Sequence, residues 1–206
     1  MLTKQMFYWQ ASGGPTRVAG MSRDLVAVAA VTAVLAFAGC SETPSTEETS
    51  QAPSSAADGP TISGTGYSYQ VPERWGPSPQ DVPGFDPDSY VVDLQDHDGF
   101  TDNVNVILSP AGEITPEQAE AAAEEELPAG GFTEVVVHDR VTVAGSESAH
   151  VTAAGSINDT DYTVEQFYPS AKGQTFVVTF SFSSSVSAGD RAEVTDAVLA
   201  SWAWTD

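Results

Sequence analysis

The chain has 206 residues, with 7 Lys+Arg against 29 Asp+Glu and a formal net charge of −22. So few cations exclude recognition of nucleic acid, whose phosphates are held by clustered Lys and Arg. A single cysteine excludes an internal disulfide and multi-thiolate zinc sites.

At the N-terminus, Leu25 to Phe37 is an apolar run interrupted only by Thr32 and preceded by Arg23. A bilayer-spanning helix needs ~20 apolar residues, so this shorter run reads as a secretory signal. Met21 opens that signal compactly and is the expected start, since Met1 adds Phe7-Tyr8-Trp9 and a Gly-Pro turn that no signal needs. The run closes on Leu35-Ala36-Phe37-Ala38-Gly39-Cys40, which resembles a bacterial lipoprotein lipobox. That resemblance implies cleavage before Cys40, a diacylglyceryl group on its thiol, and stable anchoring by two or three acyl chains at about 0.8 kcal/mol per buried CH₂. Phe37 stands where the pattern usually has Leu, and Ala36-Phe37-Ala38 also reads as an A-x-A site whose cut would release a secreted protein. Lys4, Arg17, Arg23 and Asp24 precede Cys40, leaving 4 basic and 28 acidic residues after it, a net −24. Such a charge reads as a solvated surface or as attraction to a basic partner.

Ser41 to Ser63 is rich in Ser, Thr, Glu, Pro and Ala and cannot bury enough surface to offset its ordering entropy. The expected organisation is therefore a signal over 1–39, a lipidated cysteine and disordered tether over 40–66, and a single domain over 67–206. Within that domain Tyr67, Tyr69 and Val71 alternate with Ser68 and Gln70, the period of a half-buried strand. Further strands are expected at Tyr90 to Leu94, Asn103 to Leu108, Thr133 to Val143 with a break near Asp139, Ser148 to Ser156, Asp161 to Tyr168 and Gln174 to Ser183. In the last, Phe176, Val178, Phe180 and Phe182 share one face while Thr175, Val177, Thr179 and Ser181 share the other. Asn158-Asp159 supplies the turn of an antiparallel hairpin over 148–168.

Two helices are expected. Thr115, Pro116 and Gln118 form an N-terminal capping box, and the Ala/Glu run after them ends at Pro128 and Gly130. Asp190 and Glu193 repeat the capping logic before Val194, Val198 and Trp202, an i, i+4, i+8 stripe with Leu199 beside it. Antiparallel strands with helices packed on them make an α+β domain.

Several segments in this order resemble the PsbP-like fold of actinobacterial LpqN-type lipoproteins. They are Tyr67-Ser68-Tyr69-Gln70-Val71-Pro72 with Trp75, Asp102-Asn103-Val104-Asn105-Val106, and Val141-Thr142-Val143-Ala144-Gly145 with Ala149. Gln166-Phe167-Tyr168-Pro169, Lys172-Gly173-Gln174-Thr175-Phe176 and Ala200-Ser201-Trp202 follow. The resemblance covers roughly residues 67 to 203. It implies a six- or seven-stranded antiparallel sheet with helices packed on it, and an accessory or protein-binding module without catalytic activity. It transfers no binding residue, because fold does not fix function.

No HExxH, GxSxG, Walker loop or dinucleotide fingerprint occurs, and no cofactor is expected. Asp93, Asp96, His97, Asp98 and Asp102 crowd one Gly-containing loop. There Asp96, Asp98 and Asp102 form a candidate calcium site, or a solvated turn. An EF-hand register with Asp98 and Gly99 at positions five and six puts Leu94 and Asn105 where the first and bidentate acidic ligands belong. His138 and His150 read as sheet-surface residues without ligand-spaced partners. The aromatic residues read as core, except Trp75 in the Pro/Gly-rich loop, a candidate exposed anchor for a partner. The expected function is a membrane-tethered accessory module with an envelope protein as partner. A carrier of a small apolar or lipid ligand in a sheet-helix cavity is the alternative, and an unfamiliar hydrolase a further one.

Overall fold

The computed structural model describes residues 55 to 80 and 82 to 206, so the signal, Cys40 and most of the tether lie outside the described residues. In chain order the first strands are β1 (Thr61–Gly64), β2 (Tyr67–Gln70), β3 (Trp75–Pro77), β4 (Ser89–Asp93) and β5 (Asn103–Leu108), followed by helix α1 (Pro116–Ala129). Then come β6 (Thr133–Val137), β7 (Val141–Val143), β8 (Ser146–Ser148), β9 (His150–Ile157), β10 (Thr160–Phe167), β11 (Ser170–Ala171) and β12 (Gln174–Ser183). Helix α2 (Ala188–Ala200) and β13 (Ala203–Trp204) close the chain. No helix among the described residues is long and apolar enough to cross a membrane.

The main sheet has eight strands rather than the expected six or seven. Seven run in the order β3-β4-β5-β12-β10-β9-β6, all antiparallel, and the two-residue β11 pairs with β12 beside that path. The ordered domain also begins before Tyr67. The Ala57 amide donates to the Ala197 carbonyl at 2.9 Å, and β1 pairs with β2 while β13 flanks β2 on its other side. Tyr67 to Gln70 thus belongs to a separate three-stranded sheet. The break near Asp139 separates β6 in the main sheet from β7, which forms a small hairpin with β8. At the β9-β10 turn Ile157 pairs with Thr160 across Asn158 and Asp159, whose φ values of 50° and 64° are those of a two-residue type I′ turn.

β12 lies at the centre, and its alternation builds both layers. One face carries Phe176, Val178, Phe180 and Phe182, packed with Tyr67, Tyr69, Val198 and Trp202 from the small sheet and the α2 region. Trp202 stacks on Tyr67 at 4.7 Å and on Tyr69 at 5.2 Å, while the two phenol hydroxyls reach Ser89 Oγ at 2.9 and 3.1 Å. Such ring pairs contribute about 1 kcal/mol each beyond burial, so this stack rather than a cavity fills the space under α2.

The other face is only partly covered. Thr115 Oγ1 accepts from the Gln118 amide and Gln118 Oε1 accepts from the Thr115 amide, which starts α1 as the capping box predicts. Its buried stripe is Ala119, Ala123 and Leu127, and it meets the equally small Ala149, Val151 and Ala153 of the β9 region. Small side chains on both partners bring α1 close over β6 and β9. The β4-β5-β12 half of that face is left without a helix. In α2 the cap is Ser187 rather than Asp190: its hydroxyl accepts from the Asp190 amide and donates to the Asp190 carboxylate at 2.7 Å, making Asp190 the third helical residue.

Truncating the fully buried Phe180 to Ala is expected to lower stability by about 3–5 kcal/mol, read as a lower urea midpoint at unchanged m-value. A change below about 1 kcal/mol would contradict the placement of this ring at the centre of the core.

Candidate functional site

The uncovered half of the second face is a cleft of about 270 Å³. Its floor follows from strand register. Tyr90, Asn105, Thr179 and Gln166 stand opposite one another across β4, β5, β12 and β10, and Val92, Asn103, Ser181 and Val164 form the next row. The result is a buried polar floor of Asn103, Asn105, Gln166, Thr179 and Ser181 where an ordinary sheet face would carry valines.

This floor is partly locked and partly open. Tyr168 donates its hydroxyl to Gln166 Oε1 at 2.7 Å, and Gln166 Nε2 donates to Thr179 Oγ1 at 3.1 Å. Asn103 Nδ2 donates to the Thr101 carbonyl at 3.0 Å, and Asn105 Nδ2 makes a longer 3.4 Å contact with the Thr179 carbonyl. Among the described residues the carboxamide oxygens of Asn103 and Asn105 and the Ser181 hydroxyl have no hydrogen-bond partner. They line the cleft and await donors.

Rings make the walls. Phe85 meets Tyr90 edge-on at 5.4 Å on one side. On the other, Phe100 stacks on Tyr162 at 4.9 Å, and Phe132 meets the same ring edge-on at 6.0 Å. Gly155 makes room for this arrangement, because a Cβ there would meet the Tyr162 ring at 2.5 Å. The lining contains no carboxylate, imidazole, amine or thiol, and burial pushes the Tyr90 phenol above its ordinary value, so it stays neutral. The cleft can hydrogen-bond an uncharged group and pack its apolar side. It offers no base to activate a nucleophile.

The sequence-predicted residues fall elsewhere. Trp75 is 2 % exposed, with its ring against Phe182 at 6.5 Å, which removes it as an exposed anchor. Its register opposite Asp93 on β4 turns it into the core, and the ring of that Pro/Gly-rich loop that reaches the cleft is Phe85. Asp96, Asp98 and Asp102 do share one loop, but their oxygens are turned onto its own backbone. Asp96 accepts from the Asp98 and Asp102 amides, Asp98 from the Phe100 amide and the Ser185 hydroxyl, and Asp102 from the Ser183 amide at 2.8 Å. Among the described residues no group of three or more His, Cys, Asp or Glu side chains is placed to hold a metal ion. His138 and His150 come together, their rings stacked at 4.6 Å, on the opposite face of the sheet from the cleft. Cys40 lies outside the described residues. The polar floor was signalled in the sequence by Asn103-Val104-Asn105-Val106 and by the hydroxyls of β12, but only the register unites them.

No family model matches this sequence, and no curated protein matches it. Solved structures resemble parts of it. A crystal structure of LpqN, described as involved in cell envelope biogenesis of Mycobacterium tuberculosis, is 20% identical over 69% of this chain and 86% of that chain, with a TM-score of 0.49. The solution structure of the cyanobacterial PsbP of Synechocystis is 18% identical over 76% of this chain and 96% of that one, with a TM-score of 0.43. A Bacteroides thetaiotaomicron structure is 14% identical at a TM-score of 0.45, and this chain spans 45% of its length. These are likenesses to other proteins. The chemistry of the cleft is read from this chain's own residues.

Asp102 gives the cleft loop a pH response. Burial pushes its carboxyl up to about 6 and the neighbouring Asp96, Asp98 and Asp93 add to the rise, against the lowering effect of the Ser183 amide. The unfolded value is 3.8, so the folded chain takes up a proton first. Its stabilising contribution is complete below that unfolded value and is lost as pH rises through about 6. Asp102→Asn should therefore stabilise the domain by about 1–2 kcal/mol near pH 7.5, with the difference closing only as pH falls to the unfolded value of 3.8 and below. Thermal or urea unfolding across that range measures it, and an equal effect at both ends would contradict the assignment.

Proposed function

We propose that this chain is a non-catalytic binding module of the cell envelope, held at the membrane through lipid on Cys40 and working through the cleft beside β5 and β12. The anchor rests on the lipobox-like Leu35 to Cys40 and the apolar run before it. One observation carries the binding reading: a row of uncharged hydrogen-bonding side chains with free acceptors, set among rings, in a chain whose net charge is −22. An ion would find no counter-charge there. A neutral group with hydroxyl or amide hydrogens on one side and carbon on the other meets both the floor and the walls.

The volume favours a partner over a carried ligand. About 270 Å³ is below the ~300–1,000 Å³ of pockets that enclose drug-sized molecules, so the cleft grips a ring-sized or side-chain-sized part of something larger. A carrier needs an apolar cavity between sheet and helix. Under α2 that space holds Tyr67, Tyr69 and Trp202, and under α1 it holds Ala119, Ala123 and Leu127 against Ala149 and Val151.

The reading is tested by placing a photocrosslinking residue at Phe85 in the chain expressed in intact cells and counting crosslinked adducts with and without Asn105→Leu. Loss of one buried acceptor should cut capture about tenfold, the equivalent of 1.4 kcal/mol. Equal capture by both, with Asn105→Leu folded, would sink it. In the same samples the N-terminal peptide mass should show diacylglyceryl-Cys40, and an unmodified peptide starting at Gly39 would establish release instead.

A further inference from the structure

The histidines of the two adjoining strands build a second arrangement, on the face of the sheet that carries the ring stack. His138 follows β6, and its amide donates to the His150 carbonyl at 2.9 Å, the last backbone bond that ties this edge strand to β9. The two imidazoles stack at 4.6 Å and 26°, and His150 in turn stacks on the buried Phe167 at 4.4 Å and 15°. Three rings thus lie in a row from the solvent to the core. His138 Nε2 is tied only to Thr152 Oγ1, at 2.8 Å.

Beyond Thr152 stands Glu165, its cross-strand partner on β10. Its carboxylate accepts from Arg191 Nε of α2 at 2.8 Å, while His150 Nε2 lies 3.6 Å from its other oxygen, too far for a hydrogen bond. His150 Nε2 is consequently buried without a partner. Burial alone would raise the Glu165 carboxyl, but the His150 and Arg191 groups beside it outweigh that and hold it below its ordinary range. Glu165 therefore keeps its charge through mild acid, and His138 is the imidazole whose proton uptake the fold resists. The remaining charged group near His138 is Asp139, its chain neighbour.

We propose that the stacked His138–His150 pair is a proton-operated latch on the edge of the sheet. A proton on His138 faces the His150 charge at stacking distance, and His150 is the one held, between the Glu165 carboxylate and the Phe167 ring. His138 leaves. It gives up a single hydrogen bond to Thr152, swings into solvent, and the end of β6 comes away from β9. The direction of linkage agrees with this. Burial, with the His150 charge adding to it, lowers His138 below its ordinary 6.5, although Glu165 and Asp139 oppose the shift. The folded state resists taking that proton, so stability present above pH 6.5 is lost as pH falls below it. This inference stands apart from the cleft, which lies on the other face.

The test is hydrogen exchange at the His138 amide, corrected for intrinsic rate, on the Asp102→Asn chain so that the carboxyl raised to about 6 by burial is silent. Between about pH 7.5 and about pH 5 its protection should fall about tenfold or more, while amides in the middle of β12 stay protected. His138→Phe keeps the stack without the charge and should hold protection at position 138 constant across the same range. His138→Gln, which removes both ring and charge, is the second control and should show low protection at either pH. Unchanged protection in the His138 chain, or the same acid loss with Phe at 138, would overturn the latch.

Discussion

The two-faced alternation of β12 is the constraint on which the rest depends. Because successive side chains point to opposite sides, Phe176, Val178, Phe180 and Phe182 commit one face to the aromatic core while Val177, Thr179 and Ser181 are committed to the other. The apolar face demands cover and receives it from the small sheet, α2 and Trp202. The second face demands less, because its central positions are hydroxyls and carboxamides that satisfy one another in part. A slip of one residue in register would put phenylalanines in the cleft and threonine in the core, so fold and site are fixed by the same pairing.

Helix α1 sets where the cleft begins. Its alanine stripe lies close over β6 and β9, where the sheet is also small, and the bulkier rings Phe132, Tyr162 and Phe100 mark the boundary where helix cover gives way to an open trough. Charge gives that trough its character. The four cationic side chains among the described residues, Arg74, Arg140, Lys172 and Arg191, are each within ion-pair distance of a carboxylate. The remaining carboxylates leave the domain strongly negative, and the cleft is an uncharged window in it.

Much of the fold was legible in the sequence because its signals are local. The limits of β5 and β12, the capping box at Thr115 and the Asn158-Asp159 turn depend on residues within a few positions of one another. What was not legible depends on pairing over distance. Trp75 sits among prolines and glycines like an exposed loop ring, yet its pairing opposite Asp93 buries it. Thr61 to Gly64 looks like tether because it is polar, and becomes a strand because β2 offers it an edge. Ser187 takes the cap expected at Asp190, since both residue types suit that position and the chain entering from β12 decides between them. The cleft escaped for the same reason. Asn105, Thr179 and Gln166 are ordinary polar strand residues singly, and become a row only when β5, β12 and β10 lie side by side.

The central claim, that this acidic domain binds through its uncharged cleft, makes a demand on salt. Contacts between exposed charges weaken as the Debye length shrinks from about 10 Å at 0.1 M to about 3 Å at 1 M, whereas hydrogen bonds and ring packing in a neutral cleft do not. The decisive measurement is the affinity of the purified domain for its crosslinked partner across that range of ionic strength. Binding through the cleft predicts an affinity that stays within about twofold. A steep loss with salt would show that the carboxylate surface, and not the cleft, makes the contact.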